Sequence, residues 1–161
     1  TSKPSAQVSA ADAPGIFLTY SELEFYRAEA IERGFTVAGT AAEHYTNGIK
    51  ASILDWGGSA GDATTYLAQP EVAYATATGT WKEKIAFQKW IALYNRPMDG
   101  WLELRRLDYP ELTLPVGAKS GFPVRYQYPN NEQQLNPANY TSAASKIGGD
   151  EVVTKLFWDA N

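Results

Sequence analysis

Apolar and polar positions follow a helical period over the first two thirds of the chain and lose it afterwards. The first periodic stretch, TYSELEFYRAEAIERG, places Ser21 and Glu24 at capping-box spacing and closes at Gly34, a natural helix stop. Its apolar residues fall on two sides, Leu23, Tyr26 and Ala30 against Phe25 and Ala28, which predicts a helix held between two neighbours. The second stretch, TAAEHYTNGIKASILDWGG, repeats the capping device with Thr40 and Glu43. It carries one stripe, Ala42, Tyr45, Ile49, Ile53 and Trp56, with Glu43, Asn47 and Lys50 opposite. Together the two predict an antiparallel hairpin of roughly 34 residues, the length of a tetratricopeptide (TPR) repeat. One such unit cannot bury its own faces, and repeat stacks need about three or more. The sequence holds no second copy of the pattern.

Residues 57–79 read as a long connection, with a short helical turn over 62–68 ahead of Pro70. A third helix is predicted in TGTWKEKIAFQKWIALYNRP, opened by Thr80 and Glu83 and ended before Pro97. Its apolar residues run nearly all the way round, which predicts a central position. MDGWLELRRLDYPEL then predicts a shorter helix stopped by Pro110. Beyond Thr113 the prolines at 115, 123, 129 and 137, with Gly117, Gly121, Gly148 and Gly149, predict an irregular strap ordered by its tyrosines. The expected fold class is therefore mainly α, a TPR-like hairpin plus further helices with an irregular proline- and tyrosine-rich C-terminal strap. Residues 1–15 read as a flexible linker, 16–110 as the helical part and 111–161 as the strap.

Composition narrows the chemistry. The chain has 161 residues, 44% of them apolar and 20% charged, which suits one globular domain. A net charge of −4 gives nucleic acid no electrostatic footprint. There is no cysteine, so disulfides, thiolate chemistry and cysteine metal sites are excluded within these residues. No apolar run reaches the ~20 residues of a membrane-spanning helix. The single histidine, His44, is expected on the polar flank of the second helix, where a surface role outweighs a ligand role. No phosphate loop or nucleophile elbow is present, and GGSAGD follows a helix instead of a strand.

Glycoside hydrolysis would need two carboxylates across a cleft. Glu29, Glu103, Glu132 and Asp150 are the candidates, and each has a simpler use as an ion-pair partner. In ELRRLDYP the adjacent arginines point about 100° apart, so one faces inward and needs a partner. Arg105 or Arg106 is expected to pair with Glu29 or Glu132 and tie the strap to the helices. The five tryptophans lie mostly on apolar stripes and read as packing residues, whereas Tyr66 and Tyr74, in the long connection, are the candidates for exposed aromatics that stack on a ligand.

Taken in order, LTYSELEFYRAEAIERG, AAEHYTNGIKASILDWG, IAFQKWIALY, GWLELRRLDYP, FPVRYQYPNNE and the closing FWD resemble the C-terminal part of the SusD/RagB family of outer-membrane nutrient-binding lipoproteins. The resemblance implies a helical fold built on TPR-like pairs and a non-catalytic protein without cofactor or metal. It implies binding of a glycan, or in some members a peptide, at the bacterial cell surface and delivery to a SusC-like TonB-dependent transporter. Glu29, Arg105, Arg106, Arg125, Tyr128, Pro129 and Glu132 fall in the shared motifs and are expected to be structural. The lipid-bearing cysteine and the N-terminal portion of the family are absent from these residues, so the anchor and the remainder of a SusD-like chain are expected elsewhere. A proline in NRPMDGW predicts a different turn there from that of the family. The alternative reading is a self-standing TPR-like module that binds a peptide in its helical groove.

Overall fold

The computed structural model describes residues 6–159, so the first five residues of the expected linker lie outside the described residues. The chain packs as two compact units, Thr1–Pro110 and Glu111–Asn161. Among the described residues there are eight helices. The first unit holds α1 (Ala6–Ser9), α2 (Tyr20–Glu32), α3 (Ala41–Asp55), α4 (Ala60–Leu67), α5 (Trp81–Ala92) and α6 (Pro97–Leu107). The second holds α7 (Asn130–Leu135) and α8 (Pro137–Lys146).

In the first unit α2 packs against α3 and α5, as its two apolar sides predicted, while α4 covers α3 and α6 covers α5. Three helices begin with a reciprocal capping box. Thr40 and Glu43 open α3, Thr80 and Glu83 open α5, and Ser59 with Asp62 opens α4. Each box satisfies backbone donors that have no partner inside the helix. The box expected at Ser21 does not form. Thr19 is the N-cap of α2, its hydroxyl accepting from the Glu22 backbone N–H at 3.1 Å. Ser21 instead lies buried inside the helix and donates to the Gly48 carbonyl at 2.7 Å, joining α2 to α3.

Phe25, Ala28, Tyr45, Ile49, Val72 and Ile85 form the core. Phe25 meets Tyr45 edge-on at 6.2 Å, and the Tyr45 hydroxyl donates to the Val72 carbonyl at 2.8 Å, so the connection after α4 is drawn in as a wall of the core. The buried face of α3 is turned from the predicted stripe. His44, Gly48 and Ser52 are buried with Tyr45 and Ile49, while Ala42 is exposed. The rotation follows from α2, which approaches α3 at Gly48, where Phe25 and Ser21 meet it, as well as at Tyr45. On α5 the inward face holds Ile85, Ala86, Gln88 and Lys89, whereas Phe87, Trp90 and Ile91 stand outside it. That helix is not surrounded on all sides within the described residues.

The second unit is not the wholly irregular strap expected from its prolines. Pro129 is the N-cap of α7 and Pro137 lies in the first turn of α8, positions where the missing N–H costs no helical hydrogen bond. The remaining segments are irregular, made of turns, bends and stretches without a regular element. The Val124 and Arg125 backbone N–H groups both donate to the Val152 carbonyl, at 2.8 and 3.2 Å.

Candidate functional site

Four helix-borne carboxylates of the first unit are buried, and all are paired. Glu29 receives both terminal nitrogens of Arg106 and, at 2.7 Å, the Arg33 Nε. Arg106 also reaches Glu103 at 2.6 Å, so one guanidinium bridges carboxylates of α2 and α6. Burial opposes the charge of Arg106, but the two carboxylates outweigh it and hold its pKa above the ordinary arginine value. Glu103 is completed by Lys89, 3.0 Å away, and by the Tyr26 hydroxyl, which donates at 3.2 Å. Lys89 is wholly buried, with its ammonium over the Tyr26 ring; burial pulls its pKa down to about 8 against the pull of Glu103. Glu22 takes Arg96 at 2.5 Å, and Glu24 takes His44 at 2.7 Å. Every carboxylate of this set is thus engaged by a cation.

The arrangement settles which arginine is paired with what. Arg106 makes the expected contact with Glu29, but both partners lie in residues 1–110, so the pair ties α2 to α6 instead of the strap to the helices. Arg105 is buried with its guanidinium 3.8 Å from the Trp101 ring centroid. In the second unit Arg125 is buried and paired with Asp150 at 3.0 Å. The same Asp150 carboxylate accepts from the Tyr128 backbone N–H and, at 3.2 Å, from the Tyr140 hydroxyl. Tyr128 meets Tyr140 edge-on, Pro129 starts α7, and Glu132 is exposed and accepts from Asn136.

Tyr66 and Tyr74 are half buried against the core and not exposed as expected. The Tyr66 hydroxyl bonds the Gln88 side chain, and that of Tyr74 donates to Glu32 at 2.6 Å. His44 is a further correction: it is buried between Glu24 and the Ala38 carbonyl, because the face of α3 it occupies is the one α2 covers.

One recess of the first unit lies where the end of α3, the turn after α5 and the segment before α2 converge. It has a volume of about 390 Å³, within the usual range for small-ligand sites. Tyr20, Asp55, Trp56, Tyr94, Asn95 and Arg96 contribute to its lining, with Ile16 and Leu18 supplying apolar wall. Trp56 and Tyr94 meet edge-to-face at 5.2 Å, while Tyr20 and Tyr94 remain exposed. Arg96 fixes one rim, holding Glu22, Asp99 at 2.9 Å and the Phe17 carbonyl at 3.1 Å. Flat aromatic faces beside carboxylate, amide and guanidinium groups suit a ligand with both apolar faces and hydroxyls. Nothing in the sequence pattern marked this recess, because its residues come from three separate segments and Trp56 lay on a stripe read as packing.

The profile of a SusD-like family described as "starch-binding associating with outer membrane" matches residues 1–129. The chain belongs to this SusD-like family. Solved structures of SusD-like proteins agree in fold. A SusD-like protein of Bacteroidetes AC2a superposes with a TM-score of 0.77 at 31% identity, covering 94% of this chain and 32% of its own. A protein described as chitin-binding gives 0.72 at 35% identity over 88% of this chain and 33% of its own. A SusD homologue of Bacteroides thetaiotaomicron gives 0.76 at 28% identity over 92% and 39%. A chitin-binding SusD homologue from Flavobacterium johnsoniae gives 0.70 at 30% identity. The SusD-like chain thus spans about a third of the length of the structures it matches. No curated protein matches it.

Proposed function

We propose that this chain is the C-terminal portion of a SusD-like protein that binds glycan at the outer face of the bacterial outer membrane, without catalysis, and passes it to a SusC-like TonB-dependent transporter. The observation that carries the reading is the family match over residues 1–129, supported by two relatives at 30 and 35% identity that are described as chitin-binding. The paired state of the buried carboxylates supports a binding role over hydrolysis. Among the described residues no helix is long and apolar enough to cross a membrane. The recess between Trp56 and Tyr94 is the candidate glycan contact, with the rings taking the apolar face of a sugar and Asp55 and Asn95 its hydroxyls. It is better suited than Tyr66 and Tyr74, whose hydroxyls are engaged in the core.

Calorimetric titration with a chito-oligosaccharide and a malto-oligosaccharide tests both levels. Trp56→Ala and Tyr94→Ala should each weaken the preferred glycan about tenfold, or ~1.4 kcal/mol. Unchanged affinity in both variants moves the contact away from the recess. No heat with either glycan counts against glycan binding by this portion of the protein.

A further inference from the structure

Next to the recess, between α3 and α5, lies a second and smaller hollow of about 220 Å³. Ile49 and Ile53 of α3, Ile91 of α5 and Tyr66 of α4 give it an apolar lining, and Ser52 and Gln88 give it polar atoms. Ser52 lines the recess as well, so the two cavities adjoin. Trp56 stands four residues on, about 6 Å along the helix axis. Both polar side chains of the hollow have hydrogen-bonding capacity left over. Ser52 is 9% exposed, and its hydroxyl has no hydrogen-bond partner among the described residues. Gln88 is 5% exposed, and its side chain meets only the Tyr66 hydroxyl, 3.1 Å from its amide nitrogen. An amide can donate twice and accept twice, so one hydroxyl does not exhaust it. Polar groups this deep are costly to leave unmet.

We infer that this hollow is an acetamide pocket, and that the glycan held at the Trp56–Tyr94 recess is one built from N-acetylated amino sugars. This rests on reading the recess as a glycan contact. The lining selects the group. An aliphatic peptide side chain would cover the isoleucines but leave Ser52 and Gln88 unmet. A sugar hydroxyl would meet the polar pair but leave the isoleucines facing water. An acetamide does both, because its methyl is joined directly to a carbonyl and an N–H. With a sugar ring against Trp56 and Tyr94, its 2-acetamido group enters past Ser52. The methyl then lies among Ile49, Ile53 and Ile91, the carbonyl accepts from the Ser52 hydroxyl, and the Gln88 amide takes the remaining hydrogen bond. A site with buried polar groups discriminates strongly against an analogue that cannot satisfy them.

Calorimetric titration of the protein expressed in its host with chitotetraose, cellotetraose and maltotetraose tests this. The first two share their linkage and differ at the 2-position, acetamido against hydroxyl. Chitotetraose should bind about tenfold more tightly than cellotetraose. Ile91→Asp sets a carboxylate against the methyl at a position that is 40% exposed, and Ser52→Ala removes the hydroxyl at a position where alanine favours the helix. Each should cut the preference about threefold or more. The preference is a ratio of affinities, which a partly unfolded sample does not alter. Equal affinity for the two sugars in the native protein overturns the inference, and so does a preference undiminished in either variant. Heat with maltotetraose but none with chitotetraose rejects the acetamide pocket and leaves the glycan reading standing. No heat with any of the three rejects the glycan reading, and the pocket with it.

Discussion

Both ring nitrogens of His44 face acceptors: Nδ1 lies 2.7 Å from Glu24 Oε2, and Nε2 lies 2.7 Å from the Ala38 carbonyl. A neutral imidazole has one N–H to give, so satisfying both contacts takes the imidazolium. Burial works against that charge, but the bonds to Glu24 and Ala38 outweigh it and raise the pKa above the ordinary histidine value of 6.5. For Glu24 burial again opposes the charge, and hydrogen bonds from His44, Asn47 and Tyr20 overcome it and lower the pKa below 4.5. Arg27 also contacts Glu24, at 3.0 Å, and disfavours the histidine charge. The sign follows from linkage. The His44 contribution is complete below its unfolded pKa and is lost as pH rises through the raised folded value. The Glu24 contribution is complete above its unfolded pKa and is lost as pH falls through the lowered one. The pair therefore stabilises most between about pH 4.5 and 6.5. Urea midpoints should fall between pH 6 and pH 7.5 in the native protein, below the range in which the lowered Lys89 pKa of about 8 raises stability with pH, and His44→Gln should flatten that fall. An equally steep fall in the variant would remove His44 as its source.

At the scale of elements, the α2–α3 hairpin depends on one absent side chain. A Cβ at Gly48 would stand 3.0 Å from three atoms of the Phe25 ring. Phe25 is completely buried and braced by Tyr45, so it has nowhere to retreat. Gly48→Ala gains roughly 1 kcal/mol of helix propensity. Against that stands overpacking, which costs about 1–3 kcal/mol. The expected net result is a loss of about 1 kcal/mol, read as a lower denaturation midpoint at unchanged helical content; a gain would show that the two helices can move apart. The hairpin itself was legible, since Thr40, Glu43, Gly34 and the 3.6-residue period are local signals. What could not be read was which side of each helix would be covered. That depends on the partner: α2 approaches α3 at Gly48 and pairs Glu24 with His44, and so buries His44 instead of Ala42. The helix α4 was only half read, although Ser59 and Asp62 have the same spacing as the boxes that were recognised. In residues 130–146 the prolines concealed two helices, because a proline marks a helix start as well as a stop. The recess at Trp56 and Tyr94 was invisible for the same reason as the rotated faces: it is assembled from distant segments.

For the whole molecule the question is whether the two compact units melt together. The second unit has little apolar interior and is organised around one carboxylate. Asp150 holds the buried Arg125, the Tyr128 backbone N–H and the Tyr140 hydroxyl, while its own carbonyl accepts from Gln127 at 2.7 Å. Residues from the irregular stretch before α7, from α8 and from the turn after it thus meet at a single side chain. Asp150→Ala strands a buried guanidinium, which costs about 3–5 kcal/mol. The core of the first unit, Phe25, Tyr45, Ile49 and Ile85, owes nothing to that carboxylate. Hydrogen exchange on the variant should therefore show amide protection lost over residues 122–152 and retained over α2, α3 and α5. Uniform loss along the chain would mean that the units fold as one cooperative body and that the carboxylate at 150 underwrites the helical part as well. The contrast matters for function: a second unit that opens by itself could change the surface around residues 111–161 without disturbing the helices that frame the recess.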